Sequence, residues 1–179
     1  MIQLGGVVSF DYETNMLKPD HTTSAVHCCA VCYEGKKTIA YPMHGEAKRA
    51  TGELLRADNP KVGWNMKFED RWTRTTFGHG VKNWMYDGMV GTHLIDSARG
   101  VCSLKFQAYV RLGVGTYNRH IDRFFEAKGS YETNQIKKIS TRDLLLYCGM
   151  DALLTYEICK QQAEELGVWQ PKKQHTKNA

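Results

Sequence analysis

The stretch VVSFDYET, residues 7–14, places two carboxylates directly after a run of mostly apolar residues. The valines and Phe10 of this run are typical of a strand in the centre of a sheet. Side chains two apart on a strand lie on one face, so we expect Asp11 and Glu13 to point the same way from its end. Two carboxylates on one face repel each other unless a cation lies between them. Because acid-x-acid alone is a weak motif, two solvated acids in a turn stay open as the alternative.

The bulk composition predicts one soluble domain over residues 1–169 and a polar, basic tail over residues 170–179. The chain has 179 residues, and Lys plus Arg outnumber Asp plus Glu by 24 to 19, for a formal charge of +5. This mild excess suits a polyanion ligand without requiring one. The sequence has no apolar run long enough to span a membrane and no leader pattern. We therefore expect a cytoplasmic protein with no membrane partner, whose six cysteines are free thiols.

Local patterns predict strands first and helices later, which favours an α/β or α+β architecture. The clearest helix begins after Ser140, a good N-cap with Asp143 three residues on, and ends at Gly167. A hairpin is indicated around Glu34 and Gly35. The expected strands lie at residues 6–14, 24–33, 38–43, 62–64 and 83–86. The expected helices lie at residues 46–57, 66–77, 89–96, 103–112, 121–128 and 140–166.

A second acidic cluster lies in VGWNMKFEDRW, residues 62–72. It puts Asn65, Phe68, Glu69 and Asp70 on the first turns of a helix that follows a short strand. The helix dipole favours acids at this position whatever their function. Taken alone, the cluster is therefore explained most simply by helix capping.

A third acidic cluster lies in YCGMDALLT, residues 147–155. Tyr147 and Asp151 are four residues apart, so they lie on one helical face. A core tyrosine beside a surface aspartate would give the same pattern. The order and context of the three clusters together carry more information than any one of them.

In this order the three clusters resemble the motifs of the DEDD superfamily of 3′-to-5′ exonucleases, in the subclass whose third motif carries a tyrosine (DEDDy). The resemblance is strongest to the proofreading domain of family-A DNA polymerases, with FDYET, GWNMKFED and YCGMDALLT similar to its three motifs. It covers residues 7–166. It implies a ribonuclease H-like α/β fold, with a mixed central sheet of about five strands flanked by helices.

The resemblance also implies a two-metal hydrolase. The implied metal ligands are Asp11, Glu13, Glu69 and Asp151. Oxygen ligands favour two Mg²⁺ or Mn²⁺ ions over Zn²⁺. Tyr147 would orient the attacking water rather than act as a base, because the reference pKa of tyrosine is about 10. The implied substrate contacts are Tyr12, Thr14, Asn65 and Phe68.

The implied reaction is hydrolysis of single-stranded DNA from its 3′ end, which releases nucleoside 5′-monophosphates. An exoribonuclease similar to ribonuclease D is the first alternative, since it shares the tyrosine subclass. A nuclease-weak module that holds nucleic acid or a replication protein is the second. A free-standing exonuclease of this kind is encoded by some phages. The sequence leaves the oligomeric state open.

The second motif departs from the family pattern, which usually has aspartate at the position of Glu69. Glutamate offers the same two oxygens on a longer stem, so we expect Glu69 to be the ligand. Asp70 is rotated by about 100° around the helix. A shift of one residue that uses Asp70, or a weakened site, remains the alternative.

Two further patterns carry less weight. Cys29 and Cys32 have the spacing of a zinc-binding pair, but residues three apart on a strand point to opposite faces, so they cannot chelate one ion together. Scattered basic residues could form a track for phosphates, although most such residues are simply solvated. The candidates for that track are Arg99, Lys105, Arg111, Arg119 and Arg123.

Overall fold

The computed structural model describes residues 6–127 and 129–170. The strands are β1 (Val8–Thr14), β2 (Val26–Tyr33), β3 (Lys37–Pro42), β4 (Lys61–Gly63) and β5 (Trp84–Asp87). The helices are α1 (Gly45–Arg56), α2 (Met66–Phe77), α3 (Gly88–Ile95), α4 (Leu104–Leu112) and α5 (Thr141–Glu165). Two 3-10 turns lie at Asp122–Phe124 and Ile136–Lys138. The predicted tail lies outside the described residues from residue 171 onward.

β1 lies at the centre of a five-stranded sheet of order β3-β2-β1-β4-β5. It pairs antiparallel with β2 and parallel with β4, and β5 runs parallel to β4. This mixed sheet confirms the predicted ribonuclease H-like architecture. The carboxyl ends of β1, β4 and β5 therefore meet at one edge, which is where open α/β sheets bind ligands.

The alternation of side chains along β1 and β2 divides the core into two layers. Phe10 and Cys29 pack with Trp72 of α2 on one face of the sheet. Cys32 packs with Cys148 and other residues of α5 on the opposite face. Cys29 and Cys32 thus point to opposite faces, as the strand geometry predicted.

α5 crosses the sheet over β1, β2 and β3, and one buried hydrogen bond fixes it against the central strand. The hydroxyl of Ser9, which is fully buried, donates to the carbonyl oxygen of Ala152 at 2.6 Å. Ser9 lies two residues before Asp11 on the same face of β1, and Ala152 directly follows Asp151. This bond therefore fixes the position of Asp151 along β1 relative to Asp11.

Asp87, the last residue of β5, ties the turn between β4 and α2 to the start of α3. Its carboxylate accepts hydrogen bonds from the backbone N–H groups of Asn65 at 3.1 Å, Met66 at 2.9 Å and Met89 at 2.9 Å. Asn65 has a left-handed backbone, with φ 58° and ψ 55°, a conformation that asparagine tolerates better than most residues. The turn directs the chain into α2, where Glu69 lies one turn later.

The prediction of a helix at residues 121–128 is wrong. Hydrogen bonds of the i to i+3 type join Phe124 N to Ile121 O and Phe125 N to Asp122 O, and only one 3-10 turn forms. The carbonyl of Phe124 then accepts from Gln135 N at 2.8 Å. Tertiary contacts thus compete with helix continuation here.

No helix among the described residues combines the length and apolar character needed to cross a membrane.

Replacing Asp87 with alanine should lower the free energy of unfolding by about 2–4 kcal/mol, because four backbone N–H groups, of Asn65, Met66, Met89 and Val90, lose their acceptor. Urea denaturation monitored by circular dichroism measures this loss. Asp96→Ala is the matched control, since the Asp96 carboxylate accepts only from Ala98 N at 2.8 Å among the hydrogen bonds of the described residues. We expect that control to lose less than about 1 kcal/mol. Equal losses in the two variants would contradict the bridging role of Asp87.

Candidate active site

Asp11 and Glu13 leave β1 on the face that α5 covers. Their carboxylates and the Sγ atom of Cys148 lie within 4.8 Å of one another. The register of β1 against β2 shifts between Glu13 and Thr14, an irregularity of the kind that often lies beside active sites. The Cys148 thiol donates to the backbone carbonyl of Asp11 at 3.5 Å, which brings α5 close to the end of the strand.

Glu69 is buried on α2, with 3% of its surface exposed. Its Oε2 atom has no hydrogen-bond partner among the described residues, and burial of such an oxygen is costly unless a ligand satisfies it. Asp70 is used elsewhere, since its carboxylate accepts from Arg74 Nε at 2.6 Å and from Val81 N at 2.8 Å. The geometry therefore favours Glu69 over Asp70 as the ligand from the second motif.

Asp151 of α5 is 6% exposed, and both of its carboxylate oxygens are engaged. The hydroxyl of Tyr117 donates to Oδ1, and the ammonium of Lys105 lies 3.6 Å from Oδ2. Tyr147, one turn earlier, accepts a hydrogen bond from Lys105 Nζ at 2.5 Å. Its ring packs against that of Phe125, with centroids 5.1 Å apart. The third motif is thus held by α4 and by the loop that follows α4.

Burial raises the pKa values of all four carboxyl groups, and repulsion by neighbouring carboxylates adds to this effect for Asp11, Glu13 and Glu69. Burial is the largest cause for each; Asp151 raises the pKa of Asp11 further, and Asp11 raises the pKa values of Glu13 and Glu69. For Asp151, the positive charge of Lys105 opposes the effect of burial. These carboxylates are therefore close enough to repel one another strongly.

The Tyr147 hydroxyl has a pKa raised first by burial and then by its carboxylate neighbours, with Asp151 the largest of them. The phenol therefore stays protonated at neutral pH. A protonated phenol can donate to, or accept from, a water molecule, but it cannot remove a proton from it. This state fits the predicted role of Tyr147 in orienting water.

The four predicted substrate contacts differ in accessibility. Tyr12 is buried on the sheet face opposite the carboxylates, and its hydroxyl lies 3.1 Å from that of Thr73. Thr14 is also buried and donates to a backbone carbonyl at 2.9 Å. Only the backbone at these two positions could meet a substrate. Asn65 and Phe68 are half-buried at the start of α2, so their side chains are better placed to reach a nucleotide.

The five basic residues predicted as a phosphate track have different surroundings. Lys105 lies within the acidic site itself. Arg111 forms an ion pair with a glutamate of α5 at 3.0 Å, and Arg123 lies over a neighbouring aromatic ring at 4.8 Å. Arg99 and Arg119 are exposed. These two residues are the better candidates for phosphate contacts.

Three residues of the site were not assigned from the sequence. Tyr117 lies in a glycine-rich loop without a motif, 34 residues from its partner Asp151. Cys148 lies next to Tyr147 in the third motif and received no role from the sequence. Asp87 carried a usable signal, because an acid between a predicted strand and a predicted helix is typical of an N-cap.

Residues 1–166 match the model of the DNA polymerase A exonuclease family, described as 3′–5′ exonuclease. The chain belongs to this 3′–5′ exonuclease family. The protein is therefore a hydrolytic nuclease that acts on nucleic acid, which confirms the resemblance of its motifs. No curated protein sequence matches this exonuclease significantly.

Solved structures of low sequence identity share the fold of the exonuclease. One, described as the apo form of a nuclease, is 15% identical, with a TM-score of 0.71 and coverage of 92% of this chain and 74% of that one. Brucella melitensis NrnC with bound Mg²⁺ is 14% identical, with a TM-score of 0.65 and coverage of 93% and 77%. Escherichia coli RNase D, described as an exoribonuclease involved in structured RNA processing, is 10% identical, with a TM-score of 0.65 and coverage of 90% and 40%.

Exonucleases of this family use divalent metal ions, and the residues of the site fit such ions. The Asp11 and Glu13 carboxylates lie within 4.8 Å of each other, and Glu69 presents a buried oxygen that accepts no hydrogen bond from residues 6–127 or 129–170. Carboxylate oxygens are the ligands that hard cations prefer.

Replacing Glu69 with glutamine should abolish most of the stabilisation by Mn²⁺, because it removes a charged ligand. In the wild type, Mn²⁺ at a hundred times its Kd should add about 2.7 kcal/mol to the free energy of unfolding. We expect less than about 1 kcal/mol in Glu69→Gln. Asp70→Asn is the matched control and should keep the full increment, although loss of its pair with Arg74 lowers its basal stability. Thermal melting with and without Mn²⁺ checks this; the reverse pattern would assign the ligand to Asp70.

In EDTA, stability should fall as the pH rises from the ordinary pKa values of these carboxyl groups toward neutrality. The folded pKa values of the four acids lie above their ordinary values of 3.8 and 4.5, so the folded state binds more protons than the unfolded state. Their contribution is full below the unfolded pKa values and is lost as the pH rises through the folded ones. Melting temperatures across this range test the effect. Asp11→Asn should flatten the decline, and identical slopes in the two proteins would contradict it.

Proposed function

We propose that this exonuclease hydrolyses single-stranded DNA from its 3′ end by a two-metal mechanism and releases nucleoside 5′-monophosphates. One observation carries the proposal. The carboxylates of Asp11 and Glu13 lie within 4.8 Å of each other at the end of the central strand, and Glu69 of α2 and Asp151 of α5 are near enough to interact electrostatically with Asp11. Tyr147 lies on the same helical face as Asp151. Divalent ions held there would neutralise charge on the phosphate and increase the acidity of the attacking water.

The residues of the site have separate tasks in this reaction. Asp11, Glu13, Glu69 and Asp151 would hold the divalent ions, which would supply positive charge beside the phosphate. Tyr147, protonated and anchored by Lys105, orients the water toward the phosphorus. The oxygen of that water bonds to phosphorus and gives up a proton to solvent, while the bond to the 3′ oxygen breaks and that oxygen takes up a proton from solvent. The protein supplies position and charge and forms no covalent intermediate.

Asn65 and Phe68 would hold the terminal nucleotides. Phe68 offers an aromatic face for stacking, which contributes about 1–3 kcal/mol per base and tolerates any base. Asn65, in its left-handed turn beside Glu69, offers an amide for hydrogen bonding to the same nucleotide. A base that stacks on Phe68 cannot be stacked within a duplex at the same time. A single-stranded 3′ end therefore suits this site best.

RNA is the second candidate substrate. The resemblance of the motifs to a polymerase proofreading domain supports DNA. RNase D is described as an exoribonuclease, and a further NrnC structure is described as bound to pGG, so structural neighbours support RNA. The direct comparison of the two substrates is therefore the deciding measurement.

Single strands of DNA and RNA with one sequence, labelled at the 5′ end, test the proposal. With Mg²⁺ or Mn²⁺ we expect the DNA to shorten from its 3′ end in single-nucleotide steps, and EDTA to stop the reaction. Asp11→Ala, purified in the same way, should lower the rate by a factor on the order of 10³ or more, because the central metal ligand is lost. Shortening of RNA alone would keep the mechanism and overturn the DNA assignment. If neither strand shortens while both still bind, a nuclease-weak binding module is supported instead.

A further inference from the structure

Lys105 is the cation at the centre of the acidic site. It lies in the first turn of α4, and its ammonium forms the only ion pair that the described residues make with any of the four carboxylates. Its positive charge lowers the pKa values of Asp11 and Glu13 as well as that of Asp151. An ammonium group thus occupies the neighbourhood in which the family places a metal.

The two oxygens of Asp151 are held differently. Oδ1 accepts a hydrogen bond from the Tyr117 hydroxyl. Oδ2 faces the Lys105 ammonium at 3.6 Å, which is longer than a charged hydrogen bond and therefore the weaker contact. A cation that approaches Asp151 would compete with Lys105 for Oδ2 and leave the bond from Tyr117 intact.

The contact between Lys105 and Tyr147 fixes the position of the Tyr147 hydroxyl and also the direction of its hydrogen bonds. Lys105 Nζ has only protons to give, so the Tyr147 oxygen accepts at 2.5 Å. The phenolic proton must then point to another acceptor, such as Asp151 or a water at the site. Lys105 therefore determines how the hydroxyl of Tyr147 can be used.

We propose that Lys105 is a positioning residue that holds Asp151 and Tyr147 in place before metal binds, and that it gives up Asp151 Oδ2 to the incoming ion. This inference rests on the proposed two-metal function and goes beyond a contact of Lys105 with substrate phosphate. The side chain of Lys105 is 40% exposed whereas that of Asp151 is 8% exposed. Lys105 can therefore swing toward solvent, while Asp151 cannot move away.

Removal of the ammonium should have two opposite effects. The metal-free site loses its compensating charge, so the melting temperature in EDTA should fall by about 2–4 °C. Mn²⁺ no longer competes with a fixed cation, so its Kd should become about three- to tenfold smaller. Turnover at saturating Mn²⁺ should nevertheless fall, because the hydroxyl of Tyr147 is no longer anchored. Tighter metal binding together with slower turnover is a combination that a merely structural residue would not give.

The experiment compares four variants with the wild type by melting in EDTA, calorimetric titration with Mn²⁺, and turnover. Lys105→Met removes the charge at similar length, and Lys105→Arg keeps it and should bind Mn²⁺ like the wild type. Lys48→Met, at an exposed position on α1, makes the same change of net charge away from the site and should match the wild type in every measurement. Asp151→Asn identifies the binding that belongs to this site.

Each outcome decides the inference. Tighter Mn²⁺ binding and a lower melting temperature in Lys105→Met, but not in Lys105→Arg, support it. Unchanged or weaker Mn²⁺ binding in a folded Lys105→Met protein overturns it and leaves the proposed function standing. If Lys105→Met fails to fold, Lys105→Arg decides, since altered Mn²⁺ affinity in that variant overturns a role that depends on charge. If the wild type binds no Mn²⁺ that Asp151→Asn removes, the two-metal function fails as well.

Discussion

Repulsion among buried carboxylates is the constraint on which this structure depends. Asp11, Glu13, Glu69 and Asp151 are drawn together at the end of one strand, and each has a pKa raised first by burial. Such a cluster costs stability in the free protein, because each charge is desolvated beside others of the same sign. The acids stay together only if contacts elsewhere in the fold prevent repulsion from separating them. The cost is also what makes the cluster a strong site for divalent cations.

The fold opposes this repulsion with hydrogen bonds made by residues other than the four acids. The Ser9 hydroxyl fixes α5 to the central strand through the carbonyl of Ala152. Asp87 accepts hydrogen bonds from four backbone N–H groups and fixes the turn from which α2 begins. Because the parallel strands end at one edge of the sheet, both devices act where the carboxylates meet. Backbone position, rather than contacts between the acids, thus brings them together.

Side chains outside the three motifs hold Asp151 and Tyr147 in position. Tyr117 and Lys105 engage the two oxygens of Asp151, and Lys105 also holds the hydroxyl of Tyr147. The Cys148 thiol, kept neutral because burial raises its pKa, donates to the backbone of Asp11 and adds no charge to the cluster. The site therefore combines four desolvated carboxyl groups with one partly exposed lysine. This combination makes metal affinity and turnover separable properties.

The sequence by itself determined the three motifs, the central strand and all five α-helices of the described residues, and it predicted one further helix at residues 121–128, where the structure has a single 3-10 turn. These features follow from local spacing: alternation on β1, helix signals around α2 and α5, and capping by Ser140. Only the tertiary structure decided how Lys105, Tyr117 and Asp87 are used, because their partners lie 42, 34 and 22 residues away, respectively. No local periodicity records such distances. The same physics ended the 3-10 turn after Phe124, where contacts made by distant residues outweighed the helical preference of the segment.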